Sequence, residues 1–206
     1  MNFSTPNDVT KVLVEKILRS SVIMRESPTS KWQFQGFGWL RLQLTDTLRL
    51  HVWDSREAVA NVSVIHDHPW NFSSQVVAGC MHNQRYAVLS AIEMQGRQPT
   101  HMVAKIRPGE NLKMLTEAEP CILVPAAEHE VIAPGQIYVQ RADELHHSMP
   151  VPGTVTICDR LRVGEDVARV CWPYGTEFVS AEPRRATPQE VERIITFSLN
   201  KWFTKQ

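Results

Sequence analysis

The chain has 206 residues, enough for one domain with a substantial core and short for two, so a single domain over 1–206 is expected. Its 22 Lys and Arg balance 22 Asp and Glu with no basic run, which argues against nucleic acid or a membrane surface as a partner. No segment approaches the roughly 20 apolar residues that cross a bilayer. The opening Met-Asn-Phe-Ser-Thr-Pro-Asn-Asp has no basic stretch or apolar run of the signal-peptide kind, so a cytoplasmic location is expected.

In chain order, Thr5-Pro6 followed by Asp8 supplies an N-cap, a proline at the first helical position and an early acid. Val9, Val12, Leu13, Ile17 and Ser20 then repeat at helical spacing, which predicts a helix over about 6–20. Pro28 to Lys31 reads as a turn. Leu40, Leu42 and Leu44 alternate with Arg41 and Gln43, and Leu48, Leu50 and Val52 alternate with Arg49, His51 and Trp53. Thr45-Asp46 between them makes the pair a hairpin. Further strands are expected near 62–68, 72–80, 82–90, 101–107, 121–124, 129–139, 153–162 and 168–172, with breaks at Gly79, Gly96, Pro108-Gly109, Pro134-Gly135 and Pro152-Gly153. Thr187-Pro188-Gln189-Glu190 is a capping box, opening a helix over about 187–203. Val191, Ile194, Ile195 and Trp202 form its apolar stripe, expected to lie on the outside of the strands. Many short strands with turn residues between them imply an all-β sandwich or barrel. Cys80, Cys121, Cys158 and Cys171 are widely spaced without a Cys-x-x-Cys pair and are expected to be reduced, most of them buried.

His66-Asp67-His68 carries the chemistry. On an extended strand, side chains two apart share a face, so His66 and His68 can present two imidazoles to one point. About 70 residues on, Gly135-Gln-Ile-Tyr-Val-Gln-Arg-Ala-Asp-Glu-Leu-His146 is a second segment closing on a histidine. His146 and its neighbour His147 compete for the third position, since a strand bulge would reverse which of them turns inward.

These segments resemble the paired motifs of the cupin superfamily. His66, His68 and Gly79 fall in register with the first motif. Gly135 and His146 have the spacing of the second, with Arg141 and Asp143 in place of its usual proline and glycine. The resemblance covers about 48–163. It implies a jelly-roll β-barrel, here over about 31–175 between an N-terminal and a C-terminal helix, and one divalent metal held by His66, His68 and His146. Cupins are also commonly homodimers. The motif's glutamate slot holds Phe72, or Ser73 with the longer spacer, so the usual carboxylate ligand is missing. Three-histidine sites are those of the thiol dioxygenases in this superfamily, which bind substrate and O2 at iron. Fe(II) is therefore the ion the resemblance implies, while ligand type alone also suits nickel, zinc, manganese or copper.

Candidates for the remaining roles follow from residue chemistry. Arg49, Arg85 and Arg160 lie within expected strands, where an inward guanidinium would meet an anionic substrate; a surface position is the plainer reading of each. Trp70 is a candidate wall of the pocket or a core residue. His51 is either a catalytic or ligand-supporting group or a surface histidine on an edge strand. Tyr86 and Tyr138 are core tyrosines or partners of a bound oxygen species, and Tyr86 is the catalytic candidate of the two. His129 between Glu128 and Glu130 belongs to an exposed loop, and His82 and His101 have no partner at meaningful spacing. The expected function is a mononuclear non-haem iron dioxygenase of a small polar or anionic metabolite. The alternatives are a non-catalytic metallo-cupin binding module, or a metal-assisted isomerase or lyase. No Gly-x-Ser-x-Gly element points to a hydrolase.

Overall fold

The computed structural model describes residues 6–23, 31–89, 91–107, 113–163 and 167–204. The chain opens with helix α1 (Pro6–Ile23), then strands β1 (Trp32–Gln35), β2 (Trp39–Gln43), β3 (Leu48–Trp53), β4 (Ile65–His66), β5 (Trp70–Ala78) and β6 (Met81–Val88). A single turn, α2 (Ala91–Met94), precedes β7 (His101–Arg107), β8 (Lys113–Met114), β9 (Glu119–Cys121), β10 (Leu123–Pro125), β11 (Glu130–Ile132) and β12 (Ile137–Gln140). The last elements are β13 (Leu145–Pro150), β14 (Val155–Val163), β15 (Ala168–Pro173), β16 (Arg184–Arg185) and helix α3 (Pro188–Trp202). Thr5, Pro28 and Pro108-Gly109 lie outside the described residues.

The strands form two antiparallel sheets that wrap into a nearly closed, jelly-roll-like barrel. The first sheet runs β12-β5-β14-β3-β2-β1-β16. The second runs β10-β6-β13-β4-β15-β7-β8, with β11 also on β6 and β9 also on β7. The expected hairpin is present, with Leu40 opposite Val52 and Arg41 opposite His51. Its alternation makes the first sheet two-faced. Leu40, Leu50, Val52 and Val155 turn outward beneath Val191, Ile194, Ile195 and Leu199 of α3 and Val14 and Leu18 of α1. Trp39, Trp53, Phe72 and Cys158 turn inward. The α3 stripe therefore packs as expected, and its capping box between Thr187 and Glu190 is complete. In α1 the buried positions are Val14 and Leu18, whereas Val9, Val12 and Leu13 are exposed. The apolar residues of α1 go nearly all round, so spacing alone did not select the buried stripe.

Several expected strands are broken. Residues 129–139 divide into β11 and β12 around Gly135, whose φ of 86° no strand accommodates. β4 is only two residues long, so His68 lies beyond it, in the connection to β5. β1, β8, β13 and β16 were not anticipated. Gly79 closes the β5–β6 turn at φ 85°, and a Cβ there would come 2.5 Å from Thr154 Oγ1, whose hydroxyl donates to the Cys80 carbonyl. All four cysteines are free, and Cys121, Cys158 and Cys171 are buried. Among the described residues, no helix is long and apolar enough to cross a membrane.

Candidate metal centre

His66 on β4 pairs directly across the ladder with His146 on β13, so both side chains emerge on the inner face of the second sheet. His68 reaches the same point although it is not in a strand, because Asp67 anchors the segment. The Asp67 side chain points away from the histidines and is buried. Its carboxylate accepts the Arg169 backbone N–H and the Arg169 Nε at 2.6 Å, while the Asp67 N–H donates to the Arg169 carbonyl at 3.0 Å. The Arg169 guanidinium also donates to the Asp143 carbonyl, and the Asp143 N–H donates to the His68 carbonyl. Arg169 thus ties the two histidine-bearing segments together. Asp143 adopts φ 63°, the left-handed backbone conformation that favours glycine.

One ligand nitrogen from each of His66, His68 and His146 lies within 4.8 Å of the others, and this is the one such group of three among the described residues. His147, its neighbour on β13, is not part of it. The unused nitrogens fix the tautomers. His66 Nδ1 donates to the Val64 carbonyl at 3.0 Å, leaving Nε2 with its lone pair. For His146 the reasoning passes through Asn83, which is fully buried. Asn83 Nδ2 donates to Glu130 at 3.4 Å, which orients the amide so that its Oδ1 accepts from His146 Nδ1 at 3.1 Å. His146 Nε2 is then free to bind. His68 Nε2 stands 3.1 Å from it, close to the separation of two imidazole nitrogens about 2.1 Å from one ion at a right angle.

Burial keeps all three rings neutral. It is the first cause lowering His66 below the usual imidazole range, and it takes His68 and His146 well below that range, with neighbouring histidines adding to the effect. Neutral imidazole is the metal-binding form. The donor set fits a divalent first-row metal, and it does not by itself select one. Phe72 packs beside the trio. Its ring meets His68 edge-on at 5.1 Å and His146 at 6.1 Å.

The histidines form one wall of a cavity of about 520 Å³. Trp70 is at this wall, stacked on His68 with ring centroids 5.7 Å apart. Arg49 and His51, on the first sheet, line the same cavity with Trp39 and Trp53. His51 is not a surface residue on an edge. β3 is flanked by β2 and β14, and His51 is buried against Trp39 at 4.2 Å, with its Nε2 lacking a hydrogen-bond partner. Burial, then Arg49 and Arg41, hold it well below the usual imidazole range.

Two expected site residues fall elsewhere. Tyr86 packs beside Leu145, Ile65 and Cys171 outside the cavity, because strand parity on β6 sends its side chain away from His146. The tyrosine that lines the cavity is Tyr138, hydrogen-bonded to Ser74 and Ser148 and pushed up to about 12 by burial. Arg85 faces inward but is occupied by Glu130 at 2.8 Å and Glu144 at 3.4 Å, so its charge is spent within the protein. Arg160 lies over the Trp70 ring, 5.5 Å from its centroid. His82 does have a partner: its Nδ1 is 2.9 Å from Nε2 of exposed His129.

Asn83, Asp67, Arg169 and Arg41 are the residues around the candidate site that spacing did not single out. Only Arg41 left a trace, since the hairpin alternation that puts Arg49 and His51 on one face includes it. No protein-family model and no curated protein sequence matches the chain.

Proposed function

We propose that the protein is a metal-dependent member of the cupin superfamily, a mononuclear non-haem Fe(II) dioxygenase acting on a small polar or anionic metabolite. One observation carries this reading: three neutral imidazoles, with no carboxylate among them, converge on a cavity that Arg41 and Arg49 also line. His66, His68 and His146 would hold the ion. Bound iron would polarise a chelating substrate and offer open positions where substrate and O2 meet.

The chain's own residues supply the setting. Val64 and Asn83 hold two ligands in their binding tautomers. Phe72, Trp70 and Tyr138 line the cavity beside the histidines and reduce its access to water. His51, held neutral by burial and with an unpartnered Nε2, would serve as a hydrogen-bonding partner in the cavity rather than as a base, because burial resists its protonation. Arg49 orients an anionic group.

Metal analysis of protein purified without a histidine tag tests the site, with about one divalent ion per chain expected. His68→Ala and His146→Ala should lose most of it, and His147→Ala should retain it. Full metal content in His68→Ala would sink the assignment. Oxygen consumption by Fe(II)-loaded protein over a panel of small anionic metabolites tests the reaction. Metal binding without oxygen consumption would replace the dioxygenase reading with an isomerase, a lyase or a binding module.

A further inference from the structure

The inner face of the first sheet holds three arginines at its hairpin end. Arg49 is opposite both Gln43 and Cys158, while Arg41 and Arg160 sit one same-face step away on β2 and β14. Such diagonal neighbours are close enough for long side chains to meet. Arg49 and Arg160 both lie over Trp70, at 5.7 Å and 5.5 Å from its ring centroid. Since Trp70 stacks on His68, the arginines border the histidine wall directly.

Their partners are all neutral. Arg41 donates to Gln33, Arg49 donates to Gln43 at 2.9 Å, and Arg160 donates to the Asp46 carbonyl. Arg160 Nε is buried with no partner at all. Among the described residues, no carboxylate pairs with any of the three. The contrast with Arg56, Arg85, Arg169 and Arg193 is sharp, since each of those has an Asp or Glu within 2.8 Å. Half-buried like charges repel and resist dehydration, and Arg49 is lowered to about 10 by burial first, then by Arg41 and Arg160. Gathering three such groups costs stability unless an anion sits among them.

We propose that Arg41, Arg49 and Arg160 form a recess for a dianionic, phosphate-type group of the substrate, whose other end reaches the three histidines. A guanidinium fork matches the oxygens of a phosphate, and three forks exceed what the two oxygens of one carboxylate can accept. A dianion would also neutralise most of the local charge. That the bound molecule is a substrate rests on the metal-dependent reading above; capture of the anion does not.

Inorganic phosphate titrated into chelator-treated protein at constant ionic strength tests this apart from the metal, by calorimetry and by melting temperature. In the wild type, phosphate should bind and raise the melting temperature. Arg49→Gln and Arg160→Gln should melt at or above the wild type without phosphate, because repulsion is relieved, and should bind phosphate about tenfold more weakly or worse. Arg49→Lys, which keeps the charge but not the fork, should retain part of the affinity. Metal content of Arg49→Gln should match the wild type. The proposal is overturned if phosphate has no effect up to about 20 mM, or if Arg49→Gln binds it as tightly as the wild type. Preference for succinate over phosphate with the same arginine dependence would also overturn it. Loss of metal binding with phosphate capture intact would remove the iron reading and leave this recess standing.

Discussion

An imidazole binds a metal through one nitrogen, and the hydrogen bond at the other decides which. For His146 that bond goes to Asn83 Oδ1, with Glu130 holding the amide in the required orientation. Replacing Asn83 with Leu removes the acceptor and frees the ring to adopt the wrong tautomer. Metal affinity is expected to fall about 10- to 100-fold, measured by competition with a chelator, while circular dichroism stays unchanged. Wild-type affinity in Asn83→Leu would show that His146 needs no such partner. The contrast with His66 and His68 is instructive. Their two-residue spacing announces a shared direction in the sequence itself. Asn83 is an ordinary polar residue of a strand, and only the ladder between β6 and β13 brings it to His146.

At the level of elements, α3 is the segment whose local chemistry decides most. Thr187 accepts the Glu190 N–H, and Glu190 accepts the Thr187 N–H at 2.8 Å. Thr187→Ala should cost about 1 kcal/mol in urea denaturation. The Arg184 hydrogen bond, ahead of the other causes, lowers the Glu190 carboxyl from 4.5 to about 2. A carboxyl depressed in the folded state binds fewer protons there than in the unfolded chain. Its contribution is therefore complete above 4.5 and is lost as pH falls towards 2. The melting-temperature gap between wild type and Glu190→Gln should be open at pH 6 and close across that window. A gap that persists at pH 2 would mean the charge of Glu190 contributes nothing. β13 shows the opposite case. Leu-His-His-Ser-Met-Pro has little β-branched character, so it becomes a strand through pairing with β4 and β6 rather than through propensity.

For the molecule as a whole, folding and the proposed metal site draw on different residues. The largest core lies between the outer face of the first sheet and helices α1 and α3, away from the histidines. Leu50, fully buried there, should cost about 2–5 kcal/mol when cut to Ala, measured in urea, with metal content per folded chain unchanged. Chelation should do the reverse: the circular dichroism spectrum stays, and only the stabilisation due to ligand binding disappears. Unfolding on chelation would show that the barrel depends on its ion.

The sequence by itself determined the mainly β character, the β2–β3 hairpin, the capped C-terminal helix and the shared direction of His66 and His68, each resting on short-range regularities: alternation, turn residues, caps and two-residue spacing. The closed barrel and His146 as third member of the trio were legible only through the resemblance to the cupin motifs. Tertiary structure alone decided that β4 ends before His68, that Tyr138 rather than Tyr86 reaches the cavity, that Arg85 is consumed by Glu130 and Glu144, and that Arg41 joins Arg49 and Arg160. These outcomes depend on which strands become neighbours and on which charges then meet across the sheets. Those pairings join residues far apart in the chain, where local pattern carries no information about the partner.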